Sequence, residues 1–129
     1  MINPRCLLGV RMELNLITLL FTKHFLVDFP LQNKYQWSNK GTYGHPGGLF
    51  HAAFHGLGTF WCFMFFVPAM AGWLALLDAI IHYHVDWAKM NLNDKMGWTP
   101  INSEKFWWLL GLDQFLHALT YIGLIALVM

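Results

Sequence analysis

The chain has few charged residues and few cysteines, and each shortage excludes a class of protein. Charged side chains make up 12% of its 129 residues and the formal net charge is +1, so the composition does not favour a nucleic-acid or acidic partner. The two cysteines, Cys6 and Cys62, form no CxxC motif, which argues against a zinc knuckle and against a disulfide framework. We expect each to be a buried or free thiol.

The N-terminus also lacks the features of a cleaved signal peptide. Arg5 and Arg11 resemble a positively charged leader, but Glu13 interrupts the apolar stretch and no small-residue cleavage site follows. We therefore predict a retained first helix. Met12 is a second candidate for the natural start, in which case residues 1–11 are an extension.

Apolar residues, by contrast, are abundant. The chain is 57% hydrophobic, with seven Trp and eleven Phe, which is too apolar for an ordinary soluble domain. At ~20 residues per span, its length allows about four membrane helices. We predict an all-α fold, a four-helix transmembrane bundle of antiparallel up-down topology in one domain. The predicted domain covers residues 1–129, with helices at about 14–29, 49–67, 72–90 and 104–128.

Basic residues predict how this bundle lies in the membrane. Five lysines flank the polar loops at 32–48 and 91–103, whereas the opposite side has only Arg5 and Arg11. Loops rich in lysine and arginine face the cytoplasm. We therefore predict a protein integral to the bacterial inner membrane, with both long loops cytoplasmic. The five lysines are Lys34, Lys40, Lys89, Lys95 and Lys105.

Histidine and aspartate recur four residues apart inside the apolar segments. That spacing puts both side chains of a pair on one helical face, one turn apart. Random placement would give roughly one such pair. The chain has His24 with Asp28, His51 with His55, His82 with Asp86, Asp113 with His117, and also Asp78 with His82. Antiparallel helices would bring these pairs to one depth.

The chemistry of these pairs points to a metal site. Ionisable side chains are costly in a membrane and mark function, and imidazole with carboxylate suits a divalent transition metal such as zinc, iron or manganese. We predict one or two ions with bound water as nucleophile. The predicted metal ligands are His24, Asp28, His51, His55, His82, Asp86, Asp113 and His117. The predicted catalytic carboxylates are Asp28, Asp86 and Asp113. Asp78, Lys89, Gln114 and Gln32 are predicted to orient ligands or hold a phosphate.

Simpler interpretations stand beside the metal site. A membrane His or Asp often links helices by hydrogen bonds, so the pairs also fit a network that only specifies packing, or a proton relay. His84 faces away from its neighbours and is expected at the interface, and His45 is expected to be solvated. Lys23 either reaches the interface or pairs with an acid. The aromatic run at 60–66 is expected to face lipid.

The combined pattern resembles a family of small bacterial and phage membrane proteins known as domain of unknown function 3307. The likeness covers nearly the whole chain from the first helix onward. It depends on His24, Asp28, Phe29, Gln32, His51, His55, His82, Asp86, Lys89, Asp113, Gln114 and His117. The resemblance implies a small membrane protein and names no activity. The layout is also loosely similar to bacterial membrane-bound metal-dependent hydrolases, as an analogy of layout.

The leading hypothesis is a membrane-embedded, metal-dependent hydrolase acting on a lipid or lipid-linked headgroup, as a monomer or an oligomer. A transporter or channel for metal ions or protons is the alternative, although few polar groups continue beyond Thr59 and Tyr121. Bis-histidine haem ligation is disfavoured, because carboxylates serve no axial role. A non-catalytic phage or host accessory membrane protein is the remaining hypothesis.

Overall fold

The computed structural model describes residues 4–129, with side chains from residue 7 onward. The expectations for Cys6 and for the Arg5 charge lie outside the described side chains. The all-α class is confirmed, since no strand occurs within residues 4–129. The helices are α1 (Pro4–Asp28), α2 (Lys34–Trp37), α3 (Pro46–Met64), α4 (Pro68–Met96) and α5 (Glu104–Ala126).

The predicted helix bounds were wrong at several ends. The first helix begins at Pro4 rather than near 14, because an exposed Glu13 does not interrupt a helix. The third long helix runs from Pro68, where a proline suits the first turn, to Met96 rather than 90. It ends at Gly97, whose φ of 65° is the left-handed conformation of a helix stop. The other long helices cover 46–64 and 104–126 instead of 49–67 and 104–128.

The loop predicted at 32–48 contains the short helix α2. Asn33 caps this helix, accepting a hydrogen bond from the Gln36 backbone while the Gln36 side chain accepts one from Asn33. The helix α2 packs against α3. This local order fixes the path of the chain that leads to Lys40.

Four long helices surround a common interior. Helix α1 contacts α3 and α5, and α4 contacts α3 and α5. A close approach occurs at Gly56 of α3, where an added Cβ would stand 2.9 Å from the Ala75 carbonyl oxygen of α4. Neighbouring long helices run in opposite directions, so each contributes one end to each half of the interior.

The interior has two distinct halves. We call one half the apolar region; it contains the buried residues Leu16, Leu20, Cys62, Phe63, Ala71, Leu74, Tyr121, Leu124 and Ile125. Cys62 is buried and free, as predicted. The other half is polar. In each long helix, the buried apolar residues and the buried polar residues lie toward opposite ends. In α4, for example, Leu74 precedes Asp78 and His82.

The outer surface is rich in large apolar side chains on all four long helices. The aromatic run at 60–66 was expected to lie wholly outside, and this was wrong for Phe63, which is fully buried in the apolar region, whereas Trp61 and Phe65 are exposed. The exposed set includes Leu14, Phe25, Phe54, Trp61, Trp73, Ile80, Trp108 and Phe115.

One helix in the described part of the chain, Glu104–Ala126, is long and apolar enough to cross a membrane by its length and composition. The prediction of four membrane-spanning helices is not supported by that criterion. The physical reason is that α1, α3 and α4 combine apolar residues with ionisable or small ones, which lowers the mean hydropathy of each helix.

Candidate metal centre

The polar half of the interior is built from the predicted pairs. Each of the four long helices turns one pair inward, because side chains four residues apart share a helical face. All eight predicted ligands are buried and in contact with at least one other member. We call these eight residues the polar cluster: His24, Asp28, His51, His55, His82, Asp86, Asp113 and His117.

Asp28 lies among imidazoles from two other helices. Its Oδ1 is 3.0 Å from His51 Nε2, 3.2 Å from His55 Nε2 and 3.8 Å from His82 Nε2. The Nε2 atoms of His51 and His82 are 3.2 Å apart. Four ligands around a tetrahedral ion with bonds near 2.0–2.1 Å stand about 3.3 Å from one another. These four side chains could therefore hold a metal ion.

A second group of potential ligands adjoins the first. His82 Nε2 is 3.3 Å from Asp86 Oδ2, and His117 Nε2 is 3.8 Å from Asp86 Oδ1. Among the described residues, the buried His117 Nε2 has no hydrogen-bond partner, whereas Asp86 Oδ2 lies 2.8 Å from the Lys40 ammonium nitrogen. Buried polar atoms are normally satisfied, so a cation would complete this group. Both groups include His82, and its contacts with Asp28, Asp86 and His51 are all made by Nε2. One nitrogen atom binds one metal ion, so this arrangement favours one ion over two.

His24 differs from the other histidines. Its Nε2 faces two oxygen atoms, Asp28 Oδ2 at 3.1 Å and Gln114 Oε1 at 2.9 Å. Its Nδ1 hydrogen-bonds the Tyr121 hydroxyl at 2.7 Å. This network assigns the ring proton to Nε2, with Nδ1 accepting from the hydroxyl. His24 is therefore placed to orient Asp28 rather than to bind a metal as predicted.

Lysines neutralise most of the buried carboxylates. Asp28 is the exception, since its nearest ammonium, that of Lys40, is 3.7 Å away and imidazoles surround it instead. Asp28 thus keeps the charge that a cation would balance. The close pairs are Lys23 and Asp78 at 2.7 Å, Lys40 and Asp86 at 2.8 Å, and Lys89 and Asp113 at 2.9 Å.

The residues predicted to support the ligands have different positions. Gln114 contacts His24 through Oε1 and donates from Nε2 to Asp113. Lys89 lies 3.4 Å from Asp86, three residues earlier. Gln32 donates to the backbone oxygen of Asp28.

Asp78 was predicted to be one of the groups that orient imidazoles, and its contacts lead to His55 rather than to His82, which follows it by four residues. Its measured partners are Lys23 and Thr59. Lys23 Nζ in turn lies 3.4 Å from His55 Nδ1, so Asp78 acts on a different imidazole, through a lysine. Of the two options given for Lys23, the structure selects the buried ion pair with an acid.

Three contributors to the polar half were missed in the sequence. Tyr121 and Thr59 each follow a cluster histidine by four residues, so the same spacing that identified the pairs could have identified them. Lys40 gave no signal, because it lies in an irregular segment that α2 places over the interior. The burial of Lys40 also changes the count of lysines that predicts the orientation in the membrane. The exposed lysines that flank the loops are Lys34, Lys95 and Lys105.

Two histidines, His84 and His45, lie outside the polar cluster and have different environments. His84 is exposed, with Nδ1 bonded to the Ile80 carbonyl and Nε2 3.2 Å from the Tyr43 hydroxyl, in agreement with a role outside the site. His45 was expected to be solvated, and it is partly exposed but also has a structural contact. It caps α3, its Nδ1 accepting a hydrogen bond from the Gly47 backbone at 3.0 Å.

The chain belongs to a family of proteins of unknown function, DUF3307, whose model matches residues 16–129. The family resemblance predicted from the sequence is thereby confirmed. No curated protein and no solved structure matches the chain.

Proposed function

We propose that this DUF3307 protein is a membrane-embedded, metal-dependent hydrolase acting on a lipid or lipid-linked headgroup at the cytoplasmic leaflet of a bacterial inner membrane. The observation that carries the proposal is the buried group of Asp28, His51, His55 and His82, whose ligand atoms all lie within 4.8 Å of one another and could hold a metal ion.

The distribution of side chains supports a membrane location. Apart from glycine, the buried residues of the described chain include more polar and charged side chains than hydrophobic ones, while large apolar side chains cover the outside. Water-soluble proteins bury their ionisable groups only rarely. In a bilayer such groups face the interior of the protein and mark function. The mean hydropathy of α4 is lowered by Asp78, His82 and Asp86, which face inward and would not meet lipid.

The orientation rests on exposed charge. Lys34, Lys95 and Lys105 are exposed near the polar half, and Arg11 is exposed near the apolar region. Positively charged flanks favour the cytoplasmic side, so the polar half would open toward the cytoplasmic leaflet.

The donor set suits zinc, iron or manganese. Three imidazoles and one carboxylate are borderline to hard ligands. When bound, such an ion supplies Lewis acidity and activates water for attack at phosphorus or at a carbonyl carbon. His24 would hold Asp28 in place through its ring nitrogen, and Lys23 donates to the backbone oxygen of His55 and so would fix the turn of α3 that carries this ligand.

Asp86 is the carboxylate best placed to handle protons. It contacts His82 on one side and the ammonium groups of Lys40 and Lys89 on the other, and both lysines line a pocket. In hydrolysis the water oxygen would bond to phosphorus or carbon while the bond from that atom to the alcohol oxygen breaks; Asp86 would take one water proton and pass it to the departing alcohol oxygen.

The apolar region favours a hydrolase over a transporter. Beyond Thr59 and Asp78 the interior is filled by Leu20, Phe63 and Leu74, which are almost fully buried. A transport path needs polar groups that continue to the other side. In the proposed arrangement these apolar side chains close the inner end of the polar half, which suits a reaction at one membrane surface.

A turnover assay tests the proposal. Purified protein loaded with zinc, iron or manganese is reconstituted into vesicles of bacterial lipid extract, and released headgroups are measured by mass spectrometry. We expect release that requires the metal, disappears in Asp86→Asn and persists in Lys95→Met, which changes an exposed side chain. Absence of release by metal-loaded wild type, together with metal flux into the vesicles that Asp86→Ala abolishes, would establish the transporter instead.

A further inference from the structure

We infer that the ligand of this site is a lipid carrying a phosphate group, with the phosphate at Lys40 and Lys89 and an acyl chain in the groove between α4 and α5. The inference deepens the proposed function and rests on it for the reaction that follows binding. The binding itself is argued from two cavities that meet at one lysine.

The first cavity lies beside the polar cluster, and its mostly apolar lining, which includes Trp37, Met90 and Phe106, carries four polar side chains. It has a volume of about 350 Å³ and is lined by Gln32, Lys40, Lys89 and Asn93, among others. The side chains of Lys40 and Asn93 are 6% and 8% exposed, so both are built into the wall. Within the described chain, Asn93 Oδ1 and Gln32 Oε1 are buried without a hydrogen-bond partner. Ammonium groups bind phosphate oxygens, and the unpartnered amide oxygens can accept hydrogen bonds from a headgroup.

The second cavity is an apolar groove of about 370 Å³ between α4 and α5. Leu92, Leu109 and Leu116 are among its lining residues, and Lys89 and Asp113 lie at its polar end. Lys89 lines both cavities. A ligand that fills both must therefore be charged at one end and apolar along its length, which is the chemistry of a lipid phosphate.

A bound metal ion would strengthen the attraction for phosphate. Around the pocket, Asp28, Asp86 and Asp113 contribute three negative charges and Lys40 and Lys89 two positive ones, which leaves one negative charge. A divalent ion changes this balance to one positive charge. Metal and lipid phosphate should therefore bind with positive coupling, each raising the affinity for the other.

A third cavity provides a matched control. The groove between α3 and α4 has a similar volume, about 340 Å³, but its polar lining is Tyr43, Tyr83 and His84, without lysine or aspartate. Ala88 lines the α4–α5 groove and Ala53 the α3–α4 groove, and both are exposed. Tryptophan at either position fills its groove without disturbing the polar cluster.

The experiment measures binding of dioctanoyl phosphatidic acid to the metal-loaded protein in detergent by native mass spectrometry. Inorganic phosphate and dioctanoylglycerol serve as the headgroup alone and the chains alone. We expect the phosphatidic acid to bind more tightly than either. Lys89→Met and Ala88→Trp should each weaken it by about tenfold or more, whereas Lys95→Met and Ala53→Trp should not change it.

The results separate this inference from the proposed function. Tight binding that depends on Lys89 and Ala88 supports the inference even if no headgroup is released, which would count against the hydrolase alone. Equal binding of phosphatidic acid and dioctanoylglycerol, or equal effects of Ala88→Trp and Ala53→Trp, would overturn the inference while leaving metal-dependent turnover intact. Binding of inorganic phosphate as tight as that of the lipid would also overturn it, since the groove would then contribute nothing.

Discussion

The two halves of the interior are made by the same four helices, yet they do opposite things. In the apolar region Leu16, Leu20 and Phe63 are fully buried and bring no polar atom that needs a partner. In the polar half, charged groups have left water at a free-energy cost that ion pairs offset only in part. Along each helix, the residues that stabilise the fold by packing are therefore separate from the residues that could bind a metal ion. The apolar region can hold the helices together while the polar half keeps its reactive groups in place.

The apolar region should dominate stability. Phe63→Ala removes a fully buried ring and leaves a cavity, so we expect a loss of about 3–5 kcal/mol in the free energy of unfolding. Metal content should not change, because Phe63 packs in the apolar region, which contains none of the predicted ligands. Chemical denaturation in detergent with parallel metal analysis checks both. A smaller loss of stability than in Asp86→Ala or His55→Ala would contradict the claim that the apolar region dominates stability.

The polar half should behave as one network. Asp86→Ala and His55→Ala each leave buried partners unsatisfied, so each should cost about 1–3 kcal/mol of metal-free stability. The double variant should lose little beyond either single one, because members of one network are non-additive. Additive losses with unchanged metal content would show that the pairs are independent packing contacts.

The contact between α3 and α4 joins the two halves and can be tested with a glycine pair. Gly56→Ala places a methyl group against the Ala75 carbonyl and Ala79 Cβ, so we expect a loss of about 1–3 kcal/mol from overpacking. Gly72→Ala meets nothing within 4 Å, and it should be neutral or stabilise α4 by up to about 1 kcal/mol. Thermal unfolding of the two variants side by side gives the comparison. Equal effects would mean that the helices do not approach closely at Gly56.

The histidines outside the polar cluster should have the smallest effects. His45→Ala removes the cap of α3 and should cost about 1 kcal/mol, with metal content unchanged. His84→Ala, at an exposed position two residues from His82, should change neither quantity. Metal analysis and thermal unfolding of both variants check this. A drop in metal content in either variant would mean that the metal site includes a histidine outside the polar cluster.

The positions of the site residues were more predictable than the outline of the helices. Spacing of four residues placed His82 and Asp86 on one face regardless of where α4 begins or ends, so the polar cluster could be predicted. Helix bounds depend on capping, and His45 and Asn33 act as caps through contacts that spacing does not reveal. The burial of Lys40 depends on how α2 packs, and the pairing of Asp78 with Lys23 depends on how α1 packs. Neither can be read from the spacing of residues in the sequence. The orienting role of His24 could not be predicted for the same reason, since it depends on its contacts with Tyr121 and Gln114.

Metal stoichiometry tests the central claim most directly. Protein is purified from cells supplied in turn with zinc, iron or manganese, and bound metal is measured by inductively coupled plasma mass spectrometry. We predict about one divalent ion per wild-type chain, almost none in the isosteric variant Asp28→Asn, and the wild-type amount in His84→Ala. A wild-type chain without metal under every supply, or full metal content in Asp28→Asn, would contradict the account.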